Sequence, residues 1–134
     1  MAITQAMATS FKKQILEGEH NFKSTGGNVF KIALYTSAAT LDSSTTAYSA
    51  TNEVTGTGYT AGGVTVTNAT APASTNTSAT AGTAYWTPSA SLSYTTVTLT
   101  TAFDAVLIYN SSKSNKAVSV HTFGSQTVTA GTFT

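Results

Sequence analysis

The sequence contains no cysteine and no arginine, and its charged side chains make up only 8% of 134 residues. Without cysteine there is neither a disulfide nor a thiolate metal site, so stability must come from packing, hydrogen bonds or association. A charged share about a third of the usual one leaves the surface to hydroxyls and amides. The net charge is +1, and Lys12, Lys13, Lys23, Lys31, Lys113 and Lys116 form no long run. Phosphate recognition favours clustered lysine and arginine, so no nucleic-acid partner is expected.

Long hydrophobic runs are missing as well. No stretch of about eighteen apolar residues occurs, which predicts no membrane span. The opening MAITQAMATSFKKQ has no sustained apolar region after a basic start, so it does not read as a secretory signal, and a chain soluble when made is expected.

What fills the sequence instead is threonine, about a fifth of all positions, with alanine, serine, valine and tyrosine. A chain of this length suits one domain, residues 1–134, able to bury roughly two-thirds of its unfolded surface. Near the start, Ile3, Met7, Phe11 and Ile15 recur every fourth residue and Gly18 follows where a helix would end. That spacing predicts one amphipathic helix from Ile3 to Glu17, within an N-terminal segment 1–18. Its polar face carries Gln5, Ser10, Lys13 and Glu17.

After Gly26 and Gly27 the period changes to two. Strands are predicted near 29–36, 62–68, 83–87, 92–100, 103–110, 116–123 and 126–133, giving a mainly β fold: an antiparallel, jelly-roll-like β-sandwich with the single helix. In the first strand Phe30, Ile32 and Leu34 oppose Lys31, Ala33 and Tyr35. In the 116–123 strand the alternation slips at Phe123, as at a bulge or a strand end. NSSKSNK, residues 110–116, separates two apolar runs and predicts a hairpin. Segments 37–52 and 68–82 have few large apolar residues and read as extended, exposed loops.

Groups able to do chemistry are sparse: His20, His121, Asp42, Asp104, Glu17, Glu19 and Glu53. Glu17, Glu19 and His20 lie together, but no second cluster completes a metal-ligand spacing, so no metal or other cofactor is expected. No G-x-S-x-G elbow accompanies the serines, and Asp104 and His121 read as structural residues. The glycines 56, 58, 62 and 63 precede VTVT, a strand pattern, whereas a phosphate loop opens a helix. Thr65-Val66-Thr67 lacks the fixed repeat of an ice-binding surface. Trp86 and Tyr85, with the other tyrosines, leave a sugar-stacking platform open as an alternative. The residues thus point to a chain without an enzymatic site.

Three blocks carry a resemblance: FKIALYTSAATLDSSTTAYSATNEVTGTGYTAGGVTVTN (30–68), MAITQAMATSFKKQILEGEHNF (1–22) and VLIYNSSKSNKAVSVHTFGS (106–125). In wording, order and spacing they resemble a family of small tailed-bacteriophage virion structural proteins. This chain departs from the pattern where Ala8 replaces a cysteine, where Phe103-Asp104-Ala105 replaces an arginine-glycine, and beyond Thr134, where relatives add an apolar strand. The resemblance implies a non-enzymatic virion protein, foremost a capsid decoration or cement protein. Such a protein sits on the major capsid protein or other virion proteins as a homo-oligomer, a trimer being favoured. A tail-associated receptor- or glycan-binding module is the alternative. The residues expected to touch partners are Met7, Phe11 and Ile15 on the helix, Tyr48 and Thr51 in the first long loop, and Pro72 and Asn76 in the second.

Overall fold

The computed structural model describes residues 3–67 and 71–134, and it is mainly β with antiparallel sheets and one helix. In chain order the elements are β1 (Ala6–Met7), α1 (Thr9–Leu16), β2 (Phe30–Tyr35), β3 (Gly56–Thr57), β4 (Val64–Val66), β5 (Ala73–Ser74), β6 (Ala84–Tyr85), β7 (Tyr94–Leu99), β8 (Phe103–Asn110), β9 (Lys116–Gln126) and β10 (Gly131–Phe133). One sheet has the order β1-β9-β8-β2-β4, a second β10-β7-β3, and β5 pairs with β6 apart from both.

β2 and β8 occupy the centre of the larger sheet and are buried on both sides, which is why FKIALY and FDAVLIYN read as nearly continuous apolar runs. On one side Leu34 and Val106 meet Val97 and Leu99 of the smaller sheet, with Phe133 packed against them, a sandwich-like contact. On the other, Ala33, Tyr35, Leu107, Tyr109 and Val120 are covered by Ala39 and Leu41 of the loop after β2. Phe30 joins this second cluster rather than following Leu34, because Phe22 stacks on it at 4.3 Å between centroids.

The N-terminal helix is shorter than its spacing predicts. Ile3 forms a parallel bridge to Leu41 and Ala6–Met7 runs as a strand along β9, so the fourfold spacing of Ile3 and Met7 with Phe11 is not a helical face. Backbone bonds explain the preference: the Thr4 N–H reaches the Leu41 carbonyl at 2.9 Å and the Ala8 N–H the Val118 carbonyl at 3.0 Å. The Thr9 N–H, which opens the helix, reaches the Ser43 carbonyl at 2.8 Å, so the long loop serves a donor that the start of a helix leaves unpaired. Gly18 does follow the helix in the left-handed region, at φ 70°. Met1 and Ala2, which the expected segment included, lie outside the described residues.

The hairpin expected at NSSKSNK joins β8 to β9, with Ser114 and Asn115 at positive φ in the turn. The slip at Phe123 corresponds to a register shift in which Phe103 pairs with Gln126 and Ala105 with Thr122, and β9 runs on past 123 to Gln126. The expected strand 126–133 is thereby reduced to Gly131–Phe133, and 62–68 to Val64–Val66, with Asn68 outside the described residues. Segment 37–52 is a loop exposed over most of its length, with Ala39 and Leu41 buried against the sheet and Ala47 bridged to Lys116. In segment 68–82, residues 68–70 lie outside the described residues, while 71–82 are exposed and include β5.

Candidate functional site

Glu53 is the only charged side chain between Asp42 and Asp104. It follows the loop that caps β2 and bridges to Tyr35, which turns its carboxylate inward, where it is buried. Oε1 accepts the Tyr59 hydroxyl at 2.6 Å and the Gly62 N–H at 2.7 Å, and Oε2 accepts the Tyr48 hydroxyl at 2.6 Å. Tyr59 oxygen in turn accepts the Leu34 N–H at 3.0 Å, and the Tyr109 hydroxyl donates to the Gly62 carbonyl at 2.7 Å. Tyr48 stacks on Tyr109 with centroids 4.7 Å apart. The carboxylate therefore ties the first long loop, the glycine turn before β4 and both central strands together. Its lone pairs point at the chain's own donors, which suits a structural cradle.

Burial, and after it the nearby Glu53 carboxylate, raises the phenol pKa of Tyr48, Tyr59 and Tyr109 above the ordinary 10.0. Burial raises Tyr35 and Tyr94 as well. A raised folded-state value means that the unfolded chain gives up its protons first, so the stability these groups contribute is complete below about pH 10 and lost as pH rises above it. Ultraviolet absorbance should show these phenols ionising together with alkaline unfolding. Ionisation near pH 10 with circular dichroism unchanged would mean that the cradle is open to water.

The other candidate groups are dispersed. Glu17 pairs with Lys13 at 3.2 Å, Glu19 with Lys116, and His20 is held by Gln14 and Asn110. Among the described residues no group of three or more His, Asp or Glu side chains is placed to hold a metal ion. Ser119 and His121 come together on one face of β9, with Oγ 3.0 Å from Nε2, and burial lowers the His121 pKa below 6.5. No carboxylate hydrogen-bonds that imidazole among the described residues, and Asp104 is not joined to it.

The tyrosines and Trp86 expected as a stacking platform do not share an exposed face. Tyr35, Tyr94 and Tyr109 are buried, Tyr48 and Tyr59 are half-buried at Glu53, and Trp86 packs on Phe22 and Phe30 at 5.0 and 5.5 Å. Tyr85 is exposed, but its neighbour Trp86 has been drawn into the core cluster.

Of the residues expected to touch partners, Phe11 is 7% exposed and packs in the chain's own core. Met7 is half-exposed on β1 and Ile15 on α1, beside Leu16 at 89%. Tyr48 serves the Glu53 cradle, whereas Thr51, Pro72 and Asn76 are exposed. Thr51 lines an open concavity of about 510 Å³ with Thr40, Thr45, Thr46 and Ser49, part of whose hydroxyls bond within the loop. Residues 71–85 are exposed without interruption and carry no charged side chain. Among the described residues their ladder pairs Ala73 with Tyr85 and Ser74 with Ala84, backbone bonds from Thr75 to Thr83 and from Thr77 to Thr80 at 3.0 Å extend the hairpin, and a two-stranded unit of that size is marginal by itself in water.

No protein family, curated protein or solved structure matches the chain.

The Glu53 cradle is the feature that sequence reasoning missed. An acid isolated in a long uncharged stretch and flanked by Tyr48 and Tyr59 was its available signal.

Proposed function

We propose that this chain is a non-enzymatic structural protein of a tailed-phage virion, foremost a decoration or cement protein that braces the head lattice as a homo-oligomer, a trimer being favoured. The observation that carries the reading is the uncharged arm of residues 71–85, exposed throughout and held by a short two-stranded hairpin that is marginal by itself in water. Such an arm is steadied by a neighbouring surface, here the major capsid protein or another copy. Supporting it are the half-exposed Met7 and Ile15 with the exposed Leu16, and the resemblance of the three sequence blocks to virion proteins. A protein bound in this way adds buried area at subunit junctions and so opposes the outward pressure of packaged DNA.

The dispersal of Tyr85 and Trp86 weighs against a glycan-stacking module in a tail. Antibody labelling of purified virions, imaged by electron microscopy, tests the assignment. Regular label over the head is the expected result; label confined to the tail overturns it, and absence from the particle overturns the virion reading altogether. As a second check, virions carrying the chain with residues 73–84 replaced by a short turn should retain less of it after purification.

A further inference from the structure

His20 lies at the exit of α1 and its imidazole is bonded at both nitrogens. Nε2 is 2.8 Å from Gln14 Oε1, and Nδ1 is 2.9 Å from Asn110 Nδ2. The Asn110 amide is fixed in orientation, because its Oδ1 accepts the Ser112 N–H at 3.1 Å and its Nδ2 also donates to Asn28 Oδ1 at 3.0 Å. Asn28 Oδ1 is held in turn by the Asn21 N–H at 2.9 Å. With an N–H of fully buried Asn110 directed at it, Nδ1 must present its lone pair, and the single ring proton of the neutral imidazole sits on Nε2.

We propose that His20 is an acid-sensitive latch: protonation of Nδ1 sets N–H against N–H in a buried contact and releases residues 17–28 from the base of the β8–β9 hairpin. Among the described residues no carboxylate is hydrogen-bonded to the imidazole. From α1 come Phe11, whose ring centroid is 4.8 Å away, and Gln14, with Lys13 and Glu17 paired to each other. β2 supplies Phe30, and Phe22 lies beside it. From β8 comes Asn110, from the hairpin turn the Lys113 cation, and from the start of β9 Lys116, which occupies the Glu19 carboxylate. Burial first, and the Lys113 charge second, lower the His20 pKa below 6.5. The unfolded chain therefore takes up its proton first. The stability contributed by the latch is complete above about pH 6.5 and is lost as pH falls from there toward the folded-state value.

The chain carries its own reporter. Trp86, its single tryptophan, touches both Phe22 and Phe30 of the ring cluster that covers His20. The test follows the full chain from about pH 7.5 to about pH 4.5 by nitrogen-detected NMR of the histidines, amide hydrogen exchange and Trp86 fluorescence. At the upper end His20 should be the Nε2–H tautomer. On acidification a reversible emission change with a midpoint below 6.5 should coincide with His20 titration and with faster exchange confined first to residues 17–28. His121→Asn should leave that midpoint in place, and His20→Phe should remove the transition. Lys113→Ala, an exposed change that spares folding, should move the midpoint upward. The latch is overturned if His20 titrates at or above 6.5, if it titrates without faster exchange in 17–28, or if Lys113→Ala leaves the midpoint unmoved. Those readings decide the matter even where His20→Phe does not fold.

Discussion

Glu53→Ala should lower stability by about 3–5 kcal/mol, because three donors converge on its carboxylate and each loses its acceptor at once. A hydrogen bond to a charged group contributes about 1.5–3 kcal/mol, and a buried donor left without a partner costs about 1–3. The individual costs do not add fully, since water entering the vacated space serves part of the need. For a chain of this size the loss corresponds to a fall in melting temperature on the order of 10 °C or more. Glu53→Gln keeps the shape and an acceptor for Tyr59 and Gly62, so it should cost clearly less. Urea unfolding of the two variants measures both. A loss below about 1 kcal/mol for the alanine would mean that Tyr48, Tyr59 and Gly62 find other acceptors at no cost, and that the cradle is incidental.

Gly63→Ala is expected to cost a further and separate 2–5 kcal/mol or so. Gly63 closes the turn into β4 at φ +71°, and a Cβ there would lie 1.8 Å from the Ile32 carbonyl oxygen and 2.8 Å from the Ala33 Cα. Left-handed geometry costs a residue with a Cβ roughly 1–2 kcal/mol, and forcing atoms into packed space typically 1–3 more. The backbone of β2 cannot withdraw without breaking its ladder to β8. Gly26 isolates the two contributions, since it has φ +70° and open space around it. Gly26→Ala should lose only the conformational part. Equal losses at the two sites, measured by denaturant unfolding, would show that β4 moves aside freely.

Both positions bear on how far the sequence could be read. The β-rich class, the β8–β9 hairpin, the two central strands and the helix-terminating Gly18 follow from alternation, turn residues and apolar runs, all of which are local. The two-residue strands β1, β3, β5 and β6 are too short for any periodicity to register. β1 and β3 exist because distant strands accept their backbone bonds, as β9 does for Ala6 and Met7, while β5 and β6 pair with each other. The same cause shortened the predicted helix: tertiary pairing outweighed a spacing that was helical only by coincidence. Leu41 and Ala39 were too few to mark residues 37–52 as a cover for the sheet, yet they sufficed once Tyr35 and Tyr109 lay beneath them. The Glu53 cradle depends on contacts six and nine residues away that no simple period encodes.

The uncharged arm has a consequence for the medium in which this protein would work. Between Glu53 and Asp104 no side chain carries charge, so contacts made through residues 71–85 would involve no ion pairs for dissolved salt to screen. Association through the arm should persist when ionic strength changes sharply. The corresponding cost is kinetic: with no long-range attraction to guide the encounter, capture proceeds at the slower rate of unsteered collisions, roughly 10⁵–10⁶ M⁻¹ s⁻¹. A surface of that kind favours holding on over finding quickly.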